Sequence, residues 1–296
     1  DLNFRVNSEH KMWNGLVTVG EHVGFVWKDT RGMGTGNIWN NNLRSAFSAS
    51  PIIPVYDADG NYNSTVNSDW NVNDGNPYGN MMVNRYNNSK NGSLDANVYV
   101  QIEPIKNLRF KTVYGISYGA SEYRAYTPKY QFTPQTANTV SKVNQSHGHG
   151  LSMVWTNTLS YDFNIATEHH VNALIGSELS TYDGSNTEGS NTGLIPGFDD
   201  WDHAYLVNTN GTENKTVKGS PYDSTRGMSY FARLGWTWKE RYMVNATMRA
   251  DGSSKFAKGN RWGYFPSVSA GWTISEEKFM ESVKSWFDFL KIRSEE

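Results

Sequence analysis

Between Met228 and Trp272 the chain alternates with period two in three successive runs, which restricts it to β-strands with two chemically different faces. Met228, Tyr230, Ala232, Leu234, Trp236 and Trp238 fall on one face, against Ser229, Arg233, Gly235 and Thr237 on the other. After the turn Lys239, Glu240, Arg241, a second run sets Tyr242, Val244, Ala246 and Met248 against Asn245, Thr247, Arg249 and Asp251. A third sets Tyr264, Val268, Ala270 and Trp272 against Ser267, Ser269, Gly271 and Thr273. Two folds satisfy such strands: a secreted, Trp-rich glycan-binding β-sandwich with its apolar face buried, or a membrane barrel with that face in lipid. The aromatic residues gather near the strand ends and smaller apolar residues hold the middle, as in the girdles of a lipid-facing band.

The spacing of the connections favours the barrel. Strands are predicted around Leu2–Val6, Val17–Trp27, Leu94–Glu103, Leu108–Tyr118, 149–161 and 169–180. They are joined alternately by short segments (8 to 14, 103 to 107, 162 to 168, 239 to 241) and long ones (29 to 92, 120 to 148, 181 to 225, 251 to 261). A sandwich has no reason to alternate so, whereas outer-membrane barrels have short periplasmic turns and longer extracellular loops. The fold expected is therefore all-β, an antiparallel transmembrane β-barrel of which the chain supplies about ten strands. Glu21 interrupts the apolar face of its strand and is expected at a bulge or an interface, because a bare carboxylate in mid-bilayer is costly. Residues 275 to 288, with Phe279, Met280, Val283 and Phe287 at helical spacing, suggest a turn or two of amphipathic helix on the periplasmic side.

Composition narrows the function. No apolar run approaches the roughly 18 residues of a membrane helix, so any crossing is made by strands. A net charge of -2 offers no basic field for nucleic acid, and the absence of Cys excludes disulfides, thiolate catalysis and Cys-based metal sites. The loops around Asp57–Asn61 and Asp69–Gly75 read better as Asx-turns than as calcium loops. The pairs His147/His149 and His169/His170 lack a fixed third ligand. No nucleophile elbow, phosphate loop or dinucleotide fingerprint occurs. No catalytic, cofactor or metal site is expected, and the chain is not expected to be an enzyme.

Several runs together resemble the SusC/RagA class of TonB-dependent outer-membrane transporters of Bacteroidetes: Arg249–Phe256 (RADGSSKF), Asn260–Trp272 (NRWGYFPSVSAGW), and Ile274–Glu277 (ISEE). Pro51–Asp57 with Gly60–Tyr62, Glu103–Phe110, and Ser229–Phe231 with Arg233–Leu234 agree. The resemblance implies active nutrient import across the outer membrane, of an oligosaccharide or a peptide, with a SusD-like surface lipoprotein and TonB as partners. It also implies a barrel of roughly 22 strands around an N-terminal plug. Residues 1 to 296 are accordingly expected to be an internal piece of that barrel, with plug and signal peptide outside this sequence.

Two sets of residues follow as site candidates. By parity, Asn97, Tyr99, Arg109, Lys111, Arg233, Asn245, Thr247, Arg249 and Asp251 face the lumen, and Arg249 with Asp251 is expected to join a polar network bracing the adjoining loop. Trp39, Tyr56, Trp70, Tyr126, Tyr130, Trp201 and Tyr205 are loop aromatics whose rings could stack on a sugar or contact a peptide, or simply pack the loops.

Overall fold

The computed structural model describes residues 1–33, 41, 44, 46, 47, 49–51, 53–66, 75–283, 285, 286 and 288–295. Its strands are β1 (Leu2–Met12), β2 (Val17–Arg31), β3 (Asn88–Ile105), β4 (Leu108–Thr127), β5 (Tyr130–Gln131), β6 (Ala137–Asn138), β7 (Lys142–Ile165) and β8 (His169–Thr192). Then come β9 (Thr216–Pro221), β10 (Thr225–Trp238), β11 (Tyr242–Ser253), β12 (Trp262–Thr273) and β13 (Lys291–Glu295). A short helix, α1 (Pro77–Val83), lies between β2 and β3.

Eleven strands form one antiparallel sheet in the order β1-β2-β3-β4-β7-β8-β10-β11-β12-β13, with β9 added to the far end of β8. The tight connections explain the meander. Trp13 with Asn14, and Lys239 with Glu240, hold positive φ at successive positions, the backbone twist that matches a two-stranded hairpin. Asn107 and Ala166 make the same departure at the β3–β4 and β7–β8 turns. All four turns lie at one end of the sheet, and the long connections leave from the other.

The register fixes the faces. Leu94, Ala96, Val98, Val100 and Ile102 pair with Tyr118, Ile116, Tyr114, Thr112 and Phe110, so the apolar sets of β3 and β4 share one side. Leu234 lies between Ala173 and Ala246 on that same side. No second layer covers it among the described residues: Val98 is 45% exposed, Leu234 53% and Ile175 58%. A soluble sandwich would bury this face, and leaving it bare to water would forfeit about 25 cal/mol for every Å². The fold is thus an antiparallel transmembrane β-barrel wall in part, a single open sheet whose apolar side meets lipid.

Glu21 shows no bulge. Its strand keeps continuous register with both β1 and β3, and the register shift falls instead between Ile102 and Ile105. The carboxylate sits opposite Ser8 and Val98 on the apolar face and accepts a hydrogen bond from the Ser8 hydroxyl.

Several strands outrun expectation. β7 and β8 are 24 residues each, whereas a tilted strand crosses a bilayer in about 9–11. The excess projects beyond the apolar band on the long-loop side. Residues 142–148 and 183–192 are largely polar on both faces, so period-two alternation could not mark them. The buried hydrophobic cluster lies there: Val143 and Ala204 are sealed, with Tyr126 and Leu194 beside them. At the short-turn end, residues 274–283 form two 3-10 turns, Ile274–Glu276 and Lys278–Val283, rather than an α-helix, with Phe279 exposed. Phe287 lies outside the described residues.

Candidate functional site

The nine strand residues expected on the polar face are all there. Asn97 pairs with Gly115, Tyr99 with Val113, Lys111 with Gln101 and Arg109 with Ser160. Arg233 pairs with Thr247, Asn245 with Gly235, Arg249 with Phe231 and Asp251 with Ser229. They do not form one site: Arg249 with Asp251, Tyr99 with Lys111, and Arg109 fall in three clusters, each completed by an acid that sequence alone did not single out.

The first cluster is built on Arg249. Its Nε donates to both Asp251 oxygens, at 2.7 and 3.0 Å, and its other arm reaches Glu178 at 3.4 Å. Thr156 also donates to Glu178, at 3.2 Å, so β7, β8 and β11 are tied across β10. The guanidinium lies 5.4 Å from the Phe231 ring, and that ring covers Gly176, where a Cβ would collide with it. The second cluster joins β1, β2, β3 and β4: Tyr99 donates to Glu9 at 2.5 Å, and the Lys111 ammonium lies 4.0 Å above the Tyr99 ring. Gly20 leaves the room that ring occupies. The third sits at the β3–β4 turn, where Arg109 bridges Glu103 at 3.3 Å and Asp162 at 3.4 Å, while Glu103 accepts from the Asn107 backbone at 2.7 Å. Arg233, Asn245 and Thr247 lie on β10 and β11, on the short-turn side of the Arg249 cluster, and Asn245 donates weakly to Ser269 at 3.4 Å.

Glu277 makes a comparable clamp at the short-turn end, accepting from Tyr242 at 2.6 Å, Trp272 at 3.0 Å and Arg241 at 3.2 Å. The Tyr242 hydrogen bond first, then those from Trp272 and Arg241 with the Arg241 charge, hold its carboxyl below the usual range. A carboxylate depressed in the folded state stabilises above its unfolded pKa and loses that contribution as pH falls through the folded value. The junction between the 274–283 segment and the sheet should therefore loosen on acidification, and Glu277→Gln should remove the pH dependence of protease cutting within 275–290. Cutting that stays pH-dependent in the variant would sink this account.

The loop aromatics separate into two groups. Tyr126 shares its side of β4 with Tyr114 and Tyr118, which places it on the apolar side beyond the lipid band. There it donates to the Asp199 backbone carbonyl at 2.9 Å. The 194–209 segment folds down against this outer surface: Leu206 covers Gly189, and its N–H donates to Gln145 at 2.9 Å. Arg124 is sandwiched against Trp201 at 3.9 Å and Tyr205 at 4.3 Å, and Tyr86 stacks on Trp201 at 5.8 Å. Tyr126 and Trp201 thus pack in an outer mini-core, and Tyr205 lies half-exposed at its edge against Arg124. The second group, Tyr56, Tyr62, Tyr78, Tyr130 and Phe132, is a cluster of stacked and edge-on rings 4.8–6.3 Å apart beside α1. Trp39 and Trp70 lie outside the described residues.

Asp57 accepts from the N–H groups of Asp59 and Asn61, at 3.0 and 2.8 Å, as an Asx-turn does. His169 stacks on Trp236 and Trp238 in the short-turn girdle, at 5.7 and 5.9 Å. Among the described residues no group of three metal-ligating side chains converges.

No family model matches the chain. Among curated proteins it is similar to TonB-dependent receptor P26 of Formosa agariphila, 27% identical over 98% of this chain and 28% of that protein. A second is TonB-dependent receptor P39 of the same organism, 26% identical over 95% of this chain and 25% of that protein. A shorter stretch, 66 residues or 22% of this chain, is 52% identical to TonB-dependent receptor SusC of Bacteroides thetaiotaomicron, covering 6% of it. The chain thus spans about a quarter of the length of the first two relatives. Among solved structures it superposes on one chain of the RagAB peptide importer in its open-open state, with a TM-score of 0.78 at 20% identity over 99% of this chain and 31% of that one.

Proposed function

We propose, taking the chain as a stretch of SusC/RagA-type TonB-dependent receptor barrel in the outer membrane, that the whole protein imports a nutrient too large for a passive pore. The observation that carries this is the division of one single-layer sheet into a bare apolar face and a polar face braced by charge clusters. A wall of that kind separates lipid from a wet passage. Residues 1–296 form part of the barrel domain, with the plug and the TonB-contacting segment outside this sequence. The nine polar-face residues line the lumen and meet plug or substrate. The cargo is an oligosaccharide or a peptide; the neighbour solved as a peptide importer speaks for the second class. A SusD-like lipoprotein closes the long-loop end, and TonB supplies the energy from the other. The wall performs transport and has no catalytic part.

Uptake of labelled oligosaccharide and peptide pools by cells expressing the full-length protein tests this. Uptake should fall to background when TonB is deleted or the inner-membrane proton gradient is collapsed. Uptake that persists undiminished without either would overturn the reading.

Within this wall, Asp251→Ala releases one side of the Arg249 clamp. The pair is more than a third exposed, so the loss should be modest, about 0.5–1 kcal/mol. It should appear as a lower temperature for loss of the compact barrel band on a gel, with import per surface molecule near normal. Normal surface level with abolished import would instead put the pair directly in transport.

A further inference from the structure

A cleft of about 480 Å³ opens at the long-loop end of the polar face. Its floor is a row of register partners on three neighbouring strands, Thr30 opposite Ser89 and Ser89 opposite Tyr123. Its other wall is α1 and the turn after it, which bring Asn80, Asn84 and Asn87 to the opening, with Tyr130 alongside. α1 and the turn after it therefore lean inward over the polar face, the opposite of the 194–209 segment.

The amides are fixed before any ligand arrives. Asn76 caps α1 by accepting from the Gly79 N–H at 2.8 Å. Asn84 donates to the Asn80 backbone carbonyl at 2.9 Å and its side-chain oxygen at 3.2 Å, and Asn87 donates to Asn84 at 3.0 Å. This chain sets the orientation of the amides and leaves part of their donor and acceptor capacity free. Every described lining residue is uncharged, and the volume lies within the range of small-ligand sites.

We propose that this cleft binds one neutral sugar unit of an incoming oligosaccharide. Adjacent sugar hydroxyls each donate and accept, matching amides and hydroxyls that do both, and the Tyr123 and Tyr130 rings suit the apolar C–H face of a sugar ring. A uronate, a sulfated sugar or a peptide terminus would have to leave water without a counter-charge, at a cost that this lining does not offset. The assignment rests on the import reading and names the cargo class that the mouth of the passage selects.

The test uses the full-length protein purified with its lipoprotein partner, titrated calorimetrically with neutral oligosaccharides, uronate-containing oligosaccharides and a mixed peptide pool. Neutral oligosaccharides should bind at least tenfold more tightly than the other two classes. Ser89→Trp, which fills the floor, and Asn80→Ala, which removes an amide, should each weaken that binding at least tenfold at unchanged surface level. Equal binding of charged sugars or peptides, no binding of any neutral oligosaccharide, or variants that bind normally would each overturn the assignment. Energy-dependent uptake of peptides alone would end it while leaving the import reading standing. Sugar binding without energy-dependent uptake would do the reverse.

Discussion

Leu234→Arg prevents assembly of the full-length barrel, whereas Asn245→Arg on the neighbouring strand is tolerated. Leu234 is flanked in register by Ala173 and Ala246, with no polar partner on its face, and lies between the Trp236 and Tyr230 girdle positions. An arginine there costs about 2–4 kcal/mol at the bilayer midplane. Asn245 faces the polar side opposite Gly235 and Ser269, with the Asn172 amide over Gly235, so a guanidinium there stays among polar groups and out of lipid. The measurement is the fraction of heat-modifiable, membrane-inserted protein for each variant. Equal fractions would contradict the assignment of the faces. Val98→Arg makes a graded companion, because Glu21 lies directly opposite and can pair with the new charge. Its defect should be smaller than that of Leu234→Arg.

Gly176→Ala lowers the melting temperature of the barrel by several degrees, and Phe231→Ala in the same chain recovers part of the loss. A Cβ at this position meets the Phe231 ring and stands 2.9 Å from the Asn157 backbone carbonyl, which cannot swing away. Overpacking of this sort costs about 1–3 kcal/mol. The displaced ring also leaves the Arg249 guanidinium, so the Glu178–Arg249–Asp251 clamp shifts with it. Recovery on truncating Phe231 measures the coupling between the two positions. Strictly additive destabilisation would show that the ring is not what the glycine accommodates.

Residues spaced two apart on a strand could be assigned to a face from the sequence, and residues brought together by register could not. Arg249 and Asp251 belong to the first kind, and their contact was foreseeable. Glu178 lies 71 positions from Arg249 and meets it only through two strand pairings. The same holds for Glu9 and Tyr99, joined through Gly20. Glu21 is legible in the sequence as an intruder on an apolar face, but its partner Ser8 depends on the β1–β2 register. The aromatic loops were harder still. Nothing in the composition of 181–225 distinguishes a segment that folds over the passage from one that folds down the outside. What decides it is the parity of the residues it packs on, Gly189, Gln145 and Tyr126, far up strands whose polar alternation hides their length.

The outward fold of the 194–209 segment has a consequence for how such a protein can change. Trp201 and Tyr205 anchor a surface on the outer side of the sheet, while Asn80, Asn84, Ser89 and Tyr123 overlook the polar face. On the import reading proposed above, the outward surface and the choice of cargo would therefore fall to largely different stretches of chain, joined at the Tyr86–Trp201 stack. On that reading, substitutions on the outer surface would leave cargo choice unchanged as long as the Tyr86–Trp201 stack is kept, and substitutions at the cleft would leave the outer surface unchanged.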